Sequence, residues 1–195
     1  MRIVLLLLLA LGACSDSGQP PVPVERQAPG GLRVLDLDGR ALDPFDGLQT
    51  ARVFVFVRTD CPIANRYAPE IQRLAGKYAS RGIDFWLVYP DPDEGGAAIR
   101  AHLADYGYAL PALRDPELAL VRASAVEITP EAALFDAERR LLYRGRIDDR
   151  WVDFGKARPA PRERELEAAL DAVVSGRRVP IESAPAVGCI IADLS

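Results

Sequence analysis

The chain predicts an α/β fold, a central mixed sheet flanked by helices on both faces. Three features carry this reading. Arg52 to Val57 is a β-branched and aromatic run without polar alternation, the pattern of a strand buried on both faces. Helix-periodic segments alternate with strand-like ones through the middle of the chain. A hairpin pattern, Glu131 to Phe135 and Leu141 to Arg144 around Asp136-Ala137-Glu138, then adds antiparallel strands near the end.

The elements follow in order. Leu32 to Leu37 and Ala41-Leu42 flank Asp38-Gly39 and read as a short hairpin. After the Arg52–Val57 strand, a helix is predicted from about Ile63 to Ser80. Its Ile71, Leu74, Ala75 and Tyr78 fall on one face, and Gly82 ends it. Ile83 to Tyr89 is the next strand. Asp91 to Gly96 is a loop placed to cap a helix over Ala97 to Tyr106. Leu110 to Leu113 reads as a short strand and Pro116 to Ala123 as a short helix. Glu163 to Val174 is the last helix, with Leu166, Leu170, Val173 and Val174 on one face and Gly176 as its stop.

The ends of the chain carry separate information. Arg2 precedes an apolar run from Ile3 to Leu11, too short for the roughly 20 residues a membrane span needs. It has the length of a signal h-region. Leu11-Gly12-Ala13 then leads into Cys14, a sequence that resembles the bacterial lipobox. The expectation is a signal peptide over residues 1–13 and a mature chain lipidated at Cys14. It would be a membrane lipoprotein facing the periplasm, with the outer membrane favoured by Ser15 if the cell is Gram-negative. Residues 14–31, rich in Pro and Gly, read as anchor and tether. The folded domain is assigned to residues 32–176 and a tail to residues 177–195.

The net charge of −4 and a pI near 5.1 leave no basic stripe for nucleic acid. Of the three cysteines, lipidation takes Cys14 and leaves Cys61 and Cys189. In an exported protein disulfides persist, and an even remainder suggests a pair.

The segment from Phe54 through Arg58-Thr59-Asp60-Cys61-Pro62 to Pro69-Glu70 resembles the strand-to-helix corner of the thioredoxin-like superfamily. Ile128-Thr129-Pro130 resembles the loop whose cis-proline faces the active cysteine there. Tyr143 to Ile147 and the final helix also match. Over roughly residues 30–176 the chain is most similar to the redoxin branch, the alkyl hydroperoxide reductase and thiol-specific antioxidant relatives. The resemblance implies a thioredoxin-like fold and a thiol oxidoreductase that needs no cofactor. Cys61 would be the nucleophile, with Arg58, Thr129 and Pro130 around it. Its partners would be protein thiols and disulfides or small hydroperoxides. A cysteine at a helix N-terminus meets unpaired N–H groups and the positive end of the helix dipole, which favour thiolate. Arg58 would add to this if it reached the sulfur. Asp60 would oppose it or serve as an N-cap. The plain alternative is a buried, inert cysteine.

The chain departs from its relatives at informative places. Ala64 stands where thioredoxin has its second cysteine, so no local disulfide forms at the corner. Arg58 stands where peroxide-reducing relatives have Thr or Ser, and Thr59 lies one place later. The copper-delivering relatives' cysteine spacing is absent. Cys189, in the apolar stretch Ala186 to Ile191, is the remaining partner. The chain between Gly176 and Cys189 can reach up to about 40 Å when extended. Cys189 either resolves an oxidised Cys61, pins the tail in a static disulfide, or stays a free thiol.

Two other functions are open, a copper-handling module using Cys61, His102 and Cys189, and a non-catalytic binding domain. His102, the single histidine, lies on the shoulder of its helix and reads as a packed side chain more readily than as a ligand. Asp148 and Asp149 read as loop capping and surface charge rather than a metal site. Trp86 reads as core. Trp151 reads as core or as part of a partner surface.

Overall fold

A computed structural model describes residues 27–47 and 50–191. The signal, the tether up to residue 26 and Cys14 lie outside the described residues.

The strands and helices in chain order are β1 (Val34–Leu35), β2 (Ala41–Leu42), β3 (Ala51–Phe56), α1 (Pro62–Arg66), α2 (Ala68–Tyr78), β4 (Ile83–Tyr89), α3 (Gly96–Asp105), β5 (Ala112–Arg114), α4 (Ala119–Ser124), β6 (Ile128–Thr129), β7 (Glu131–Asp136), β8 (Leu141–Gly145), β9 (Trp151–Asp153), β10 (Lys156–Ala157), α5 (Glu165–Val174), β11 (Ser183–Ala184) and β12 (Cys189–Ile190). The main sheet runs β11-β8-β7-β3-β4-β5-β1-β2. β3, β4 and β5 are parallel neighbours, β7 is antiparallel to β3, and β8 is antiparallel to β7. The expected α/β thioredoxin-like fold is present.

β3 explains the sheet's position. All six of its residues are buried. Successive side chains of a strand point to opposite faces, so its apolar run fills two cores at once. Val53 and Val55 join Ile71, Leu74 and Tyr78 of α2 and Leu166 and Leu170 of α5. Phe54 and Phe56 join Phe45, Phe135, Leu120 and Val121 on the other face. There Phe45 meets Phe54 and Phe135 edge-on, with ring centroids 5.4 and 5.1 Å away.

Several expectations are corrected. The long helix after Cys61 is two helices, broken at Tyr67, and a 3-10 turn over Ala79–Arg81 ends it. Pro69 is the cause: it has no N–H to give the preceding turn, and its ring disfavours the helical conformation just before it. No side chain caps α3; its N-cap is Gly95, while Asp91 instead turns its own loop by accepting the Asp93 N–H. Trp86 is half-buried at the sheet surface, with the Arg52 guanidinium 5.2 Å from its ring centre.

The tail is not a loose appendage. β11 extends the main sheet in parallel with β8, and β12 pairs antiparallel with β6. Ahead of the expected domain start, Ala28 is buried and its N–H bonds the Arg139 carbonyl.

Candidate active site

The end of β3 and the start of α1 set Cys61 at the first turn of the helix pair. Cys61 is the N-cap of α1, and Pro62 follows it at the first helical position, where a missing N–H costs nothing. Asp60 does not cap; it is exposed and bonds Arg58 at 3.1 Å.

The Thr129–Pro130 peptide is cis, and its loop packs on Cys61. The Cys61 thiol donates to the Thr129 carbonyl at 3.1 Å. Cys189 completes the group: its thiol donates to the Cys61 sulfur with the two Sγ atoms 2.8 Å apart, both cysteines being free thiols. Cys61 is fully buried, packed in the core on one side and in contact with Thr129 and the tail's Cys189 on the other, while Cys189 is half-buried. Burial, reinforced by the hydrogen bond to Cys61, pushes the Cys189 thiol up to about 12. Cys189 therefore holds its proton and donates it in a hydrogen bond to the Cys61 sulfur.

The residues just before Cys61 are gripped from two sides. Glu94 accepts the Thr59 N–H at 2.7 Å and the Thr59 hydroxyl at 2.6 Å on the same oxygen. Burial raises the Glu94 carboxyl above its ordinary range. From the other side, Asn65 donates to the Thr59 carbonyl at 3.0 Å. Asn65 in turn pairs with His102 Nε2 at 2.8 Å, and His102 Nδ1 with the Tyr89 hydroxyl at 2.8 Å. The directions agree along the whole chain. Tyr89 donates to Nδ1, Nε2–H donates to the Asn65 oxygen, and the Asn65 amide donates to Thr59. Burial holds His102 below the usual imidazole range, which keeps this neutral tautomer.

Arg58 is turned toward carboxylates. Its guanidinium bonds Asp60 and Asp91, each at 3.1 Å. The alternative metal set of Cys61, His102 and Cys189 is not assembled, since both His102 nitrogens are engaged. The described residues hold no group of three or more His, Cys, Asp or Glu side chains arranged for a metal ion. Asp148 and Asp149 cap, as expected, but they are buried rather than on the surface. Asp148 accepts the Tyr67 hydroxyl at 2.6 Å and the Arg150 N–H at 2.9 Å, while Asp149 accepts the N–H groups of Arg162 and Glu163. Trp151 is buried beneath Arg66 and offers no broad surface.

Glu94, Asn65 and Gly188 are site residues that the sequence reading passed over. Asn65, one helical turn after Cys61, carries a faint signal. Glu94 and Gly188 carry none until the fold brings their loops to the corner.

A strand-to-helix corner with a cysteine at the helix start, facing a cis-proline loop, defines a thioredoxin-fold thiol protein. The chain belongs to the Redoxin family, whose model matches residues 23–158, and is thereby a Redoxin-family thiol oxidoreductase. Among solved structures it is similar to a hypothetical protein of Sinorhizobium meliloti 1021, with 28% identity over 87% of this chain and 94% of that one and a TM-score of 0.70. It is also similar to an uncharacterized conserved protein of Geobacillus kaustophilus, with 27% identity over 89% and 94% and a TM-score of 0.72. The thioredoxin domain of a thiol-disulfide oxidoreductase from Bacteroides vulgatus shares the fold, with 15% identity over 60% and 84% and a TM-score of 0.52. No curated protein matches the chain. Among the described residues no helix is long and apolar enough to cross a membrane.

Proposed function

We propose that this protein is a lipid-anchored thiol–disulfide exchange enzyme of the cell envelope, with Cys61 as nucleophile and Cys189 as resolving thiol. The observation that carries the reading is the 2.8 Å approach of the two sulfurs. In the reaction the Cys61 thiolate attacks one sulfur of a substrate disulfide. The substrate's other sulfur leaves as a thiolate, and a mixed disulfide remains on Cys61. Cys189, once deprotonated, attacks the Cys61 sulfur. The substrate leaves with both its thiols reduced, and the protein holds a Cys61–Cys189 disulfide, having supplied two electrons. An external dithiol reverses that last change.

Disulfides are favoured over hydroperoxides as substrates. The Thr59 hydroxyl donates to Glu94, and Arg58 stands where peroxide-reducing relatives carry the Thr or Ser that holds the peroxide oxygen. The Thr129 carbonyl, 3.1 Å from the Cys61 sulfur, and the cis-Pro130 loop position the nucleophile. Export is read from Arg2 and the Ile3–Leu11 run, and the anchor from Leu11-Gly12-Ala13-Cys14.

The test is a redox titration in dithiothreitol buffers with mass mapping of the Cys61–Cys189 bond. A midpoint above about −300 mV, with turnover of a model disulfide lost in Cys61→Ser, supports the reading. In Cys189→Ser, mixed disulfides on Cys61 should accumulate. A bond that resists strong reductant until the protein unfolds leaves only a structural staple.

A further inference from the structure

The tail does more than deliver a sulfur. β12 lies on β6 as a two-residue antiparallel ladder separate from the main sheet, with Cys189 opposite Thr129 and Ile190 opposite Ile128. The ladder continues as Ile191 N–H bonds the Glu127 carbonyl at 2.9 Å. The Thr129 hydroxyl adds a weak contact to the Cys189 carbonyl at 3.4 Å.

Side chains along this strand alternate as a bound peptide's would. Cys189 faces Cys61. Ile190 faces solvent at 74% exposure. Ile191 is buried among the second core's residues and forms one wall of a cavity of about 250 Å³ beside Arg58, Pro90 and Leu118. Gly188 runs so close to β6 that a Cβ there would lie 2.0 Å from the Thr129 oxygen and 2.9 Å from Ile128 Cγ2. Only glycine fits that step. β11 anchors the tail upstream on β8, and Pro185 to Gly188 connect it to β12.

Resting on the exchange reading above, we propose that the strip formed by Glu127, Ile128 and Thr129 is a partner-binding site. It takes an extended polypeptide carrying Gly-Cys, any residue, then a branched aliphatic residue, and the protein's own tail is its resident occupant. A partner enters when β12 lifts, pairs with β6 in the tail's register, and presents its disulfide sulfur to Cys61. Tail and partner cannot occupy the strip together. Return of β12 therefore both resolves the mixed disulfide through Cys189 and displaces the reduced partner.

The probe is the peptide Ala-Val-Gly-Cys-Ile-Ile with its cysteine activated as a mixed disulfide with thionitrobenzoate. It is offered to the full chain carrying Cys189→Ser, and to the full chain carrying both Gly188→Ala and Cys189→Ser, in which the tail should be lifted. Attack by Cys61 forms the Cys61–peptide disulfide and releases coloured thionitrobenzoate. The expected result is reaction about tenfold or more faster than for peptides with Gly replaced by Ala, or with the final Ile replaced by Ser. The doubly substituted chain should also react faster than Cys189→Ser alone, because the tail no longer competes. Glutathione disulfide is the control for Cys61 itself. If it reacts but the three peptides do so at equal rates, the proposed specificity is overturned and the exchange reading stands. If the double variant does not fold, the peptide ranking in Cys189→Ser alone decides. If glutathione disulfide fails to react with any folded variant, Cys61 is no nucleophile and both readings fall.

Discussion

A single oxygen of Glu94 holds both the backbone N–H and the hydroxyl of Thr59, two residues before the buried Cys61. Glu94 sits at the N-terminal approach to α3, so the loop after β4 fixes the conformation of the loop after β3. Replacing Glu94 by Ala leaves two donors unpaired and should cost about 1–3 kcal/mol, measured by urea unfolding. Glu94→Gln keeps an acceptor and should cost less. It also isolates the charge. The Glu94 carboxyl is raised from its ordinary 4.5 by burial, so its contribution to stability is fully present below 4.5 and is lost as pH rises through the folded value. Wild type should therefore lose ground against Glu94→Gln between pH 4 and neutrality. Parallel pH profiles for the two proteins would contradict this.

Cys189 should be slow to alkylate in the reduced protein. With its thiol pushed up to about 12, first by burial and then by the bond to Cys61, its thiolate fraction at pH 8 is on the order of one in ten thousand. Timed iodoacetamide labelling with peptide mapping should show the rate rising with pH through the alkaline range. Cys61→Ser removes the weaker of the two causes, so labelling of Cys189 should quicken without reaching the rate of a free thiol.

His102 ties the buried Tyr89 to Asn65 and so to Thr59. Because burial lowers its basicity from the ordinary 6.5, its contribution is present above 6.5 and is lost as pH falls through the folded value. Proton NMR should show an Nε2–H tautomer that persists on mild acidification. His102→Phe should destabilise by about 1–3 kcal/mol and should abolish that acid-side loss. An unchanged exchange rate in this variant would mean that the network holds the fold without tuning the corner.

Far from the corner, Glu167 on α5 accepts both terminal nitrogens of Arg73, at 3.1 and 2.7 Å, and Lys77 at 2.8 Å, all from α2. Arg73 first and Lys77 second hold its carboxyl down at about 2. Its stabilising contribution is present above 4.5 and is lost as pH falls through about 2. Glu167→Gln should lower stability at neutral pH and flatten the profile between those values, as followed by acid titration of the circular dichroism signal.

The anchor has its own test. Cys14→Ser should release the protein from membranes, read by fractionation. If the variant stays with the membrane fraction, Cys14 is not what holds it there.

Elements whose cause is local can be read directly from the chain. β3 announces itself because a strand filling two cores has no polar face, and α5 shows the repeat of one buried stripe. The Asp60-Cys61-Pro62 corner and the Thr129-Pro130 loop were legible through their resemblance to the strand-to-helix corner and cis-proline loop of the thioredoxin-like superfamily. Pro69 marks the break at Tyr67, behind which the apolar stripe of α2 continues in phase. Contacts between residues distant in the chain follow from packing instead. The composition left Cys61 and Cys189 as possible partners, but their meeting depends on β11 anchoring on β8 and β12 settling on β6. Neither pairing has a periodicity long enough to detect in two-residue strands. Glu94, His102 and Asn65 likewise look like ordinary surface or helix residues until β4 and α3 fold them against the corner. Gly188 has no turn to make, and its need appears only where the Thr129 carbonyl leaves no room for a Cβ. Local propensity is a property of neighbours, whereas a site built from chain crossings is fixed by packing, and the packing placed the tail against Cys61.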